Sequence, residues 1–370
     1  MKRNTLSPPD VNQRLLSLDV FRGFTMFLLI AESTHLFNLL VDPSLQGTLI
    51  ETIGRQFHHH PWNGLRFWDL VQPFFMFIVG VAMPFTFARR EERGDSRCKM
   101  IGHAVKRSLI LLFLGWALYC IGPGKITFEF RNVLAQLSFT YLVAFLWMRK
   151  SGKAQFIFTI GLLVLTELLY RFWPVAGFNQ PFVPDQNFGS YIDMLLMGKL
   201  SGGHWVAFNA VPTTAHTMWG VLAGLVLRSQ RSEMQKVKIL LFAGLLGVVL
   251  GFALNPLTPI IKRICTSSFV IVSGGWCLIV LAFWYWLVDV KKVRKFPIFF
   301  TIVGLNPIFI YLFAETGGTQ WLSRIISPFT LGLFGWIGDL PSQLITGITL
   351  WFLLWSICYF LYRRRIFIKI

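Results

Sequence analysis

Charged side chains are scarce in this sequence. Only 14% of its 370 residues are Asp, Glu, Lys or Arg, whereas 54% are hydrophobic. A soluble globule of this length could hardly bury so much apolar surface, so the composition excludes an ordinary soluble domain. The apolar residues form long runs, and a run of about 20 residues is enough for a helix to span a bilayer. The sequence therefore predicts an all-α polytopic membrane protein.

The sequence also has little cysteine and no acceptor triplet for N-glycosylation. Its five cysteines are scattered and show no CxxC spacing, which argues against a disulfide framework and a cysteine-based zinc site. No Asn-x-Ser/Thr triplet occurs in the chain, and this favours a bacterial inner membrane over a glycosylating compartment. We therefore expect a multi-pass protein of a bacterial inner (plasma) membrane.

Ten apolar segments are predicted to form a bundle of about ten transmembrane helices in one domain, residues 1–370. The sixth segment is amphipathic because it contains Thr213, Thr214 and His216. The ninth is interrupted by Asn306 and Pro307, and a proline there leaves a backbone carbonyl unpaired that a cavity could use. The segments are residues 18–40, 69–87, 105–122, 133–148, 154–173, 211–227, 239–254, 267–288, 298–314 and 343–362.

Acidic residues are few: the sequence contains 17 Asp and Glu but 35 Lys and Arg. The net charge of +18 would suit a nucleic-acid-binding protein, but its distribution argues against nucleic acid as a partner. When the loops are assigned alternately to the two sides of the membrane, most of the basic residues fall on one side. The positive-inside rule then predicts that both termini are cytoplasmic. That side includes residues 363–365 and the N-terminal Lys2, Arg3 and Arg14.

The same alternation places the stretch FHHHPWNGLRFWDL, residues 57–70, on the extracytoplasmic side. Consecutive histidines cannot all face one point and no His-x-x-x-His spacing occurs, which argues against a transition-metal site. A second interpretation is an anchor of His and Trp at the membrane interface. A third is a general base or nucleophile, because imidazole titrates near neutral pH. Asp69 or Glu32 would then orient the ring.

Ionisable residues within the predicted spans are informative because each is costly in lipid unless it is paired or functional. Glu32 and His35 are three residues apart in the outer half of the first span, which predicts that they share a helix face. Two further pairs have the spacing of structural ion pairs, and these are Glu167 with Arg171 and Asp19 with Arg22.

The long loop at residues 171–210 mixes aromatic residues with amides and carboxylates, among them Asp193. Aromatic faces beside such polar groups suit a carbohydrate ligand. A lid packed at the membrane interface would use the same residue types. Both interpretations are open from composition alone.

Several motifs together resemble the heparan-alpha-glucosaminide N-acetyltransferase family and its bacterial relatives. In that family Ser-x-Asp-x-Phe-Arg-Gly opens the first helix, and His-x-x-Trp-x-Gly-x-x-x-x-Asp-Leu leads into the second. The corresponding stretches are RLLSLDVFRGFTMFLL (residues 14–29) and HHPWNGLRFWDLVQPFFMFIVGVAM (59–83). Further similar stretches are YIDMLLMG (191–198), KRICTSSFVIVSGG (262–275), FWYWLVD (283–289) and GLNPIFIY (304–311).

The resemblance implies an acyltransferase that takes an acetyl group from cytoplasmic acetyl-CoA and delivers it to the amine of a terminal glucosamine across the membrane. The family's catalytic histidine, three residues before the tryptophan, corresponds to His59. His58, His60 and Glu32 stay open as alternatives, and Asp69 and Asn63 are expected to assist, Asn63 as an oxyanion donor. No metal is expected. Further expected contacts are Trp62, Asp193 and Asn306 for the acceptor and Arg22, Lys106 and Arg107 for the CoA phosphates.

Two departures from the animal members leave the acceptor open. Those members carry an asparagine at the outer end of the first helix, where this chain reads Ala31-Glu32-Ser33. They also carry an acidic-glycine stretch before the sixth span, where this chain reads FNAVPTTAHTMWG (residues 208–220). A glycan O-acetyltransferase is one alternative function. A transporter or flippase without chemistry is another, and the interrupted ninth segment and Glu32 within the first would fit it. Expected partners are membrane lipid, acetyl-CoA and an amino sugar or other glycan, and a homodimer stays open.

Overall fold

The computed structural model describes residues 15–368, and within them the chain is helical. Lys2, Arg3 and Arg14, which entered the topology prediction, lie outside these residues. Apart from one isolated bridge between Asn63 and Ile261, the described residues contain no paired strands. The helices are α1 (Leu16–Glu32), α2 (Leu36–Leu39), α3 (Leu49–Gln56), α4 (Val71–Glu92), α5 (Arg97–Ile121), α6 (Val133–Trp147), α7 (Gly152–Phe172), α8 (Phe188–Met197), α9 (Ala210–Arg228), α10 (Glu233–Ala253), α11 (Ser267–Trp284), α12 (Pro297–Gly304), α13 (Pro307–Glu315), α14 (Gly318–Phe334) and α15 (Asp339–Arg363).

Seven helices in the described chain are long and apolar enough to cross a membrane, and α12 with α13 makes an eighth as a broken pair. The seven are α4, α5, α7, α9, α10, α11 and α15, where α4 and α9 are preceded by 3-10 turns and α11 continues into a π turn. The first and fourth predicted segments form shorter helices, α1 with 17 residues and α6 with 15 residues. Each of the ten predicted segments therefore contains a helix or a helix pair, and the all-α membrane bundle is confirmed.

The first helix is shorter than predicted. It ends at Glu32, and the hydroxyls of Ser33 and Thr34 donate hydrogen bonds back to the carbonyls of Ile30 and Ala31. His35 then adopts a left-handed backbone conformation with φ of 61°. Side-chain hydroxyls that bind the last carbonyls of a helix compete with its continuation. The prediction that Glu32 and His35 share one helix face is therefore wrong.

The predicted interruption of the ninth segment is confirmed. Helices α12 and α13 meet at 69°, and Pro307 is the first residue of α13, a position that needs no backbone N–H. Asn306, between the two helices, donates from its amide to the Ile366 carbonyl and accepts from the Ile368 N–H, at 3.0 and 2.8 Å. The break therefore binds the segment that follows α15.

Glycines allow the central helices to approach closely. A Cβ on Gly80 of α4 would lie 1.9 Å from the Thr217 carbonyl oxygen of α9, and one on Gly220 would lie 2.2 Å from the Phe77 carbonyl oxygen. Small residues at such crossings are typical of membrane helix pairs. Helix α4 thus packs closely against α9 at the centre of the bundle.

The two predicted ion pairs are also present. Arg171 Nε lies 2.5 Å from Glu167 Oε1, and Arg22 Nη1 lies 3.4 Å from Asp19 Oδ1. Each pair occupies neighbouring turns of a single helix. These four charges therefore have local partners within the fold.

Candidate active site

His59 is held by a carboxylate from the beginning of the second predicted span. Nδ1 of His59 lies 2.9 Å from Oδ1 of Asp69, and the Asp69 side chain is fully buried. Oδ2 of Asp69 accepts the backbone N–H of Arg66 at 2.9 Å and that of His60 at 3.3 Å. Since a carboxylate only accepts, the contact with Asp69 favours the tautomer in which Nδ1 carries the proton and Nε2 keeps its lone pair. This is the tautomer that a general base or nucleophile requires.

The loop between α10 and α11 completes the site by bringing Lys262 to the same imidazole. The Gly64 N–H donates to the Ile260 carbonyl at 2.8 Å, so the two loops are joined through their backbones. Nζ of Lys262 lies 3.0 Å from Nδ1 and 3.4 Å from Nε2 of His59. It also lies 3.9 Å from Oδ1 of Asp69, and its side chain is 6% exposed.

The electrostatic environment keeps the imidazole neutral. Burial, followed by the positive charge of Lys262, lowers the pKa of His59 to about 4, although the Asp69 carboxylate acts in the opposite direction. Burial lowers the pKa of Lys262 to about 8, although Asp69 favours its charged form. At neutral pH the site therefore combines an uncharged imidazole with an ammonium and a carboxylate whose charges compensate each other.

Trp205, from the long loop before α9, covers the cationic side of this site. Its ring meets the His59 ring edge-on with centroids 5.2 Å apart. Lys262 Nζ and Arg263 Cζ lie 5.3 and 5.2 Å from the Trp205 ring centroid, in cation–π geometry. The His59 side chain keeps 31% of its surface exposed, so the imidazole is accessible while the ammonium is not.

The other two histidines of the run have different surroundings. His58 Nε2 lies 3.1 Å from the Phe37 carbonyl oxygen. The ring of His60 packs against Gly64, where a Cβ would come within 2.5 Å of Nε2. In residues 15–368, His59 is the one member of the run whose ring contacts a carboxylate.

Three further predicted residues lie around the histidine loop. Trp62 Nε1 donates to the Phe182 carbonyl at 2.7 Å, which ties the histidine loop to the long loop. Asn63 is exposed and its backbone forms the bridge to Ile261. Glu32 accepts a hydrogen bond from Trp68 Nε1 at 3.1 Å, so it reaches the neighbour of Asp69 rather than the imidazole.

Asp193 and Asn306 are engaged in structural contacts. Asp193 receives Arg131 Nε at 2.6 Å and the Ala207 N–H at 2.9 Å, and both charged side chains are 1% exposed. The Asn306 amide binds the backbone after α15, as described above. Within the described chain, no hydrogen bond or ion pair connects either residue to His59, and their predicted contact with an acceptor stays a prediction.

A cavity of about 590 Å³ occupies the other end of the bundle and extends into its interior. Arginines from three helices and the α4–α5 turn surround its mouth, and apolar residues of α1, α4 and α6 line its depth. Arg107 Cζ stacks over Tyr141 at 4.7 Å, and Arg107 Nε is buried without a hydrogen-bond partner among the described residues. The arginines are Arg22, Arg89, Arg90, Arg93 and Arg107. Such a site suits a multiply charged anion with an apolar or neutral extension.

Helix α4 links the cavity to the histidine site. Phe75 lines the cavity and is six residues beyond Asp69, which corresponds to about 9 Å along a helix. Arg89, at the mouth, is twenty residues beyond Asp69 and thus about 30 Å away, close to the thickness of a bilayer core. The cavity therefore covers most of the distance between the arginine end and the His59 end.

Comparison with known proteins supports the motif-based resemblance. No family model matches the chain. It is 26% identical over 388 residues to heparan-alpha-glucosaminide N-acetyltransferase of Mus musculus, covering 85% of this chain and 56% of that protein. It is 25% identical over 437 residues to the protein of the same name from Homo sapiens, covering 96% of this chain and 60% of that protein.

The resemblance to heparan-alpha-glucosaminide N-acetyltransferase is confirmed. It extends over most of this chain, although the chain spans less than two thirds of the length of either relative. Both relatives are named as N-acetyltransferases, which supports the transferase class at the level of the family.

Several residues of the two sites were missed by sequence reasoning. Lys262 opens the stretch KRICTSSFVIVSGG (residues 262–275) but has no predicted role, and Trp205 is one of many aromatic residues in its loop. Lys106, predicted beside Arg107, instead lies exposed on another face of α5 among Val105, Leu109 and Phe113. The i, i+3 and i, i+4 spacing of Arg89, Arg90 and Arg93 was the signal that could have identified the cavity mouth.

Proposed function

We propose that this protein is a membrane-embedded acetyl-CoA-dependent N-acetyltransferase. In this proposal acetyl-CoA enters from the cytoplasm at the arginine end, and an amino sugar receives the acetyl group at the His59 end. The observation that carries the proposal is the cavity that begins among arginines and extends toward the His59–Asp69 pair. The topology predicted from charge supports the direction of transfer.

The arginine end offers the chemistry that a CoA phosphate needs. Guanidinium groups bind phosphate through charge-assisted, paired hydrogen bonds. Arg107 is the strongest candidate because its Nε is buried without a partner in the described chain and its guanidinium is held by Tyr141. The apolar walls beyond it, formed by residues such as Ile78 and Leu134, suit the neutral pantetheine arm. The acetyl thioester would then lie toward His59.

The His59 end offers the chemistry of acyl transfer. In the direct route the acceptor nitrogen attacks the thioester carbonyl, the C–N bond forms, and the C–S bond breaks. Nε2 of His59 takes the proton of the attacking nitrogen and returns it to the CoA thiolate. In the alternative route Nε2 itself attacks the thioester carbonyl, the N–C bond forms, and the C–S bond breaks to release the CoA thiolate. The acceptor nitrogen then attacks the acetyl carbonyl, the bond to Nε2 breaks, and the proton of the acceptor nitrogen passes to the CoA thiolate or to water. Asp69 keeps Nδ1 protonated in both routes.

Coenzyme A release from the purified protein tests the proposal. Thiol appearance is measured with acetyl-CoA and glucosamine, with N-acetylglucosamine, and without an acceptor. We expect glucosamine-dependent release that His59→Ala abolishes without a change in melting temperature. The matched variants His58→Ala and His60→Ala retain activity if His59 is the reacting histidine. Release with N-acetylglucosamine but not glucosamine would instead identify an O-acetyltransferase.

The broken pair α12–α13 favours a second candidate, a glycan or lipid transporter without chemistry. Broken helices beside a membrane cavity are a feature of many transporters. The same assay separates the two functions. Binding of the sugar without CoA release for any amine or hydroxyl acceptor would replace the transferase with the transporter.

A further inference from the structure

We propose that Lys262 is a positioning residue for His59, whose buried ammonium, within 3.4 Å of both ring nitrogens, compensates the charge of Asp69 at the imidazole. The inference rests on the proposed function, because it assigns to Lys262 a part in that acetyl transfer. It adds a third charged or ionisable group to the His59–Asp69 pair. The group comes from a loop about 200 residues away in the chain.

The position of Lys262 is determined by its loop rather than by a flexible side chain alone. The Cys265 N–H donates to the Lys262 carbonyl at 3.0 Å, and the Thr266 hydroxyl donates to the Pro259 carbonyl at 2.7 Å. The Ile261 N–H in turn donates to that Thr266 hydroxyl at 3.0 Å. Together with the Gly64–Ile260 hydrogen bond, these contacts fix the loop on the histidine loop. The ammonium is thus preorganised beside the ring.

Asp69 alone would be expected to protonate His59. A carboxylate 2.9 Å from an imidazole nitrogen stabilises the imidazolium and raises its pKa, as an opposite charge does in general. Lys262 opposes this effect because its charge lies within 3.4 Å of both ring nitrogens and compensates the carboxylate. Asp69 therefore orients the ring through Nδ1–H, while Lys262 adds to the larger effect of burial in disfavouring the charged imidazole.

The other charged and titratable groups around the pair come from three elements. Glu32, at the end of α1, faces Lys262 and favours its charged form. Arg263, next to Lys262, disfavours protonation of both His59 and Lys262. Cys265 lies on the same loop, and Arg66 donates from its guanidinium to the His59 carbonyl at 3.1 Å. Among these groups, Lys262 is the one whose charge directly contacts the imidazole.

This arrangement serves either route of acetyl transfer. A neutral Nε2 can accept a proton from the acceptor or attack the thioester, whereas an imidazolium can do neither. An acetylated imidazole would also be a more reactive acetyl donor beside a cation, since the cation disfavours the positive charge of that intermediate. Lys262 thus acts through His59 in each case.

The pH dependence of acetyl transfer tests the assignment. Once protonation of the acceptor amine, which is common to all variants, has been divided out, wild type is expected to lose activity only near pH 4, because the pKa of His59 is lowered to about 4. In Lys262→Met the compensating charge is gone while the burial of His59 remains, so the acid limb moves upward from about 4, with the ordinary value of about 6.5 as its upper limit. At that limit, activity at pH 5 would fall roughly 25-fold relative to pH 7. Lys262→Arg retains the cation and is expected to keep the limb near that of wild type.

Controls separate this effect from loss of structure and from the acceptor. The ammonium of the amino sugar titrates identically in every variant, so only differences between variants report the enzyme. Lys199→Met removes another lysine of an ion pair, with Glu129 at 2.6 Å, and is expected to leave the acid limb unchanged. Melting temperatures establish that each variant is folded. An acid limb that stays near pH 4 in folded Lys262→Met would overturn the assignment.

An NMR titration of His59 tests the inference without an activity assay. The Cε1 signal of His59, in protein labelled with 13C-histidine and assigned by its loss in His59→Asn, reports the pKa by NMR. A value well below 6.5 in wild type that rises in Lys262→Gln supports the role of Lys262, and a wild-type value above 6 contradicts it. This measurement decides the case if Lys262→Met fails to fold. Absence of CoA release from wild type with every acceptor would instead reject the proposed function.

Discussion

Nδ1 of His59 and Oδ1 of Asp69 lie 2.9 Å apart, and the second oxygen of that carboxylate accepts two backbone N–H groups of the histidine loop. Asp69 therefore determines both the orientation of the imidazole and the path of the loop that carries it. Because the carboxylate is fully buried, its contacts are not exchanged for water. The geometry predicts separate effects on catalysis and on loop structure.

Asp69→Asn is expected to lower kcat by about 100-fold or more, which is the rate enhancement that general acid–base catalysis typically contributes. An amide presents a donor as well as an acceptor, so it no longer selects the Nδ1–H tautomer and its NH2 conflicts with the Arg66 and His60 N–H groups. The KM for acetyl-CoA should change little, because the cavity mouth is about 30 Å away along α4. Steady-state kinetics measure both constants. Unchanged kcat would exclude Asp69 as the orienting group.

Arg107 and Lys106 provide a matched pair of cations on one helix. Arg107 lines the cavity, whereas Lys106 is exposed on another face of α5. We expect Arg107→Ala to raise the KM for acetyl-CoA about tenfold, which corresponds to about 1.4 kcal/mol, and Lys106→Ala to have little effect. Binding of acetyl-CoA to the two variants is measured by calorimetry in detergent. Equal losses in both variants would show that general positive charge, rather than the cavity, attracts the cofactor.

The predicted role of Asp193 in binding the acceptor can be separated from a structural role. Its carboxylate pairs with Arg131 at 2.6 Å, and both side chains are 1% exposed. Removing Asp193 takes one of two carboxylates from the buried Arg131, whose Nη1 also lies 2.7 Å from Glu129 Oε1, and leaves the Ala207 N–H without its acceptor. Loss of such a buried hydrogen-bond partner typically costs about 1–3 kcal/mol. Asp193→Leu should therefore lower the melting temperature by several degrees. The double variant, Asp193→Leu with Arg131→Leu, should regain part of the lost melting temperature. A raised KM for the acceptor with an unchanged melting temperature would favour acceptor binding instead.

The helical segments could be predicted because hydropathy accumulates over about 20 residues and tolerates local detail. Their exact ends could not. The end of α1 depends on the hydroxyls of Ser33 and Thr34 and on the left-handed conformation of His35, and such a turn has no periodic signal. Asn306 and Pro307 marked the helix break correctly, but the amide of Asn306 binds the backbone after α15, a contact that only the tertiary structure reveals.

The candidate site was predictable only where its residues are close in the chain. His59 and Asp69 are ten residues apart and belong to one motif, and Asp69 is one of the two carboxylates, with Glu32, that the sequence offers to orient the ring. Lys262 contacts His59 across about 200 residues, and a single sequence contains no local pattern for such a pairing. Lys106 was chosen beside Arg107 by charge alone, yet neighbours on a helix point about 100° apart. Only the packing of α5 decides which of them faces the cavity.

The direction of transfer can be tested with a native cysteine. Cys98 is exposed in the first turn of α5, at the arginine end, where the charge distribution predicts the cytoplasm. Cys265, Cys277 and Cys358 are buried, so Cys98 should react fastest with a membrane-impermeant maleimide. We expect labelling of inverted membrane vesicles but not of intact cells. Labelling that persists in Cys98→Ser would come from another cysteine, such as the partly exposed Cys120 at the other end of α5. Labelling of Cys98 in intact cells would reverse the topology and would require acetyl-CoA to enter from the extracytoplasmic side, which contradicts the proposed transfer.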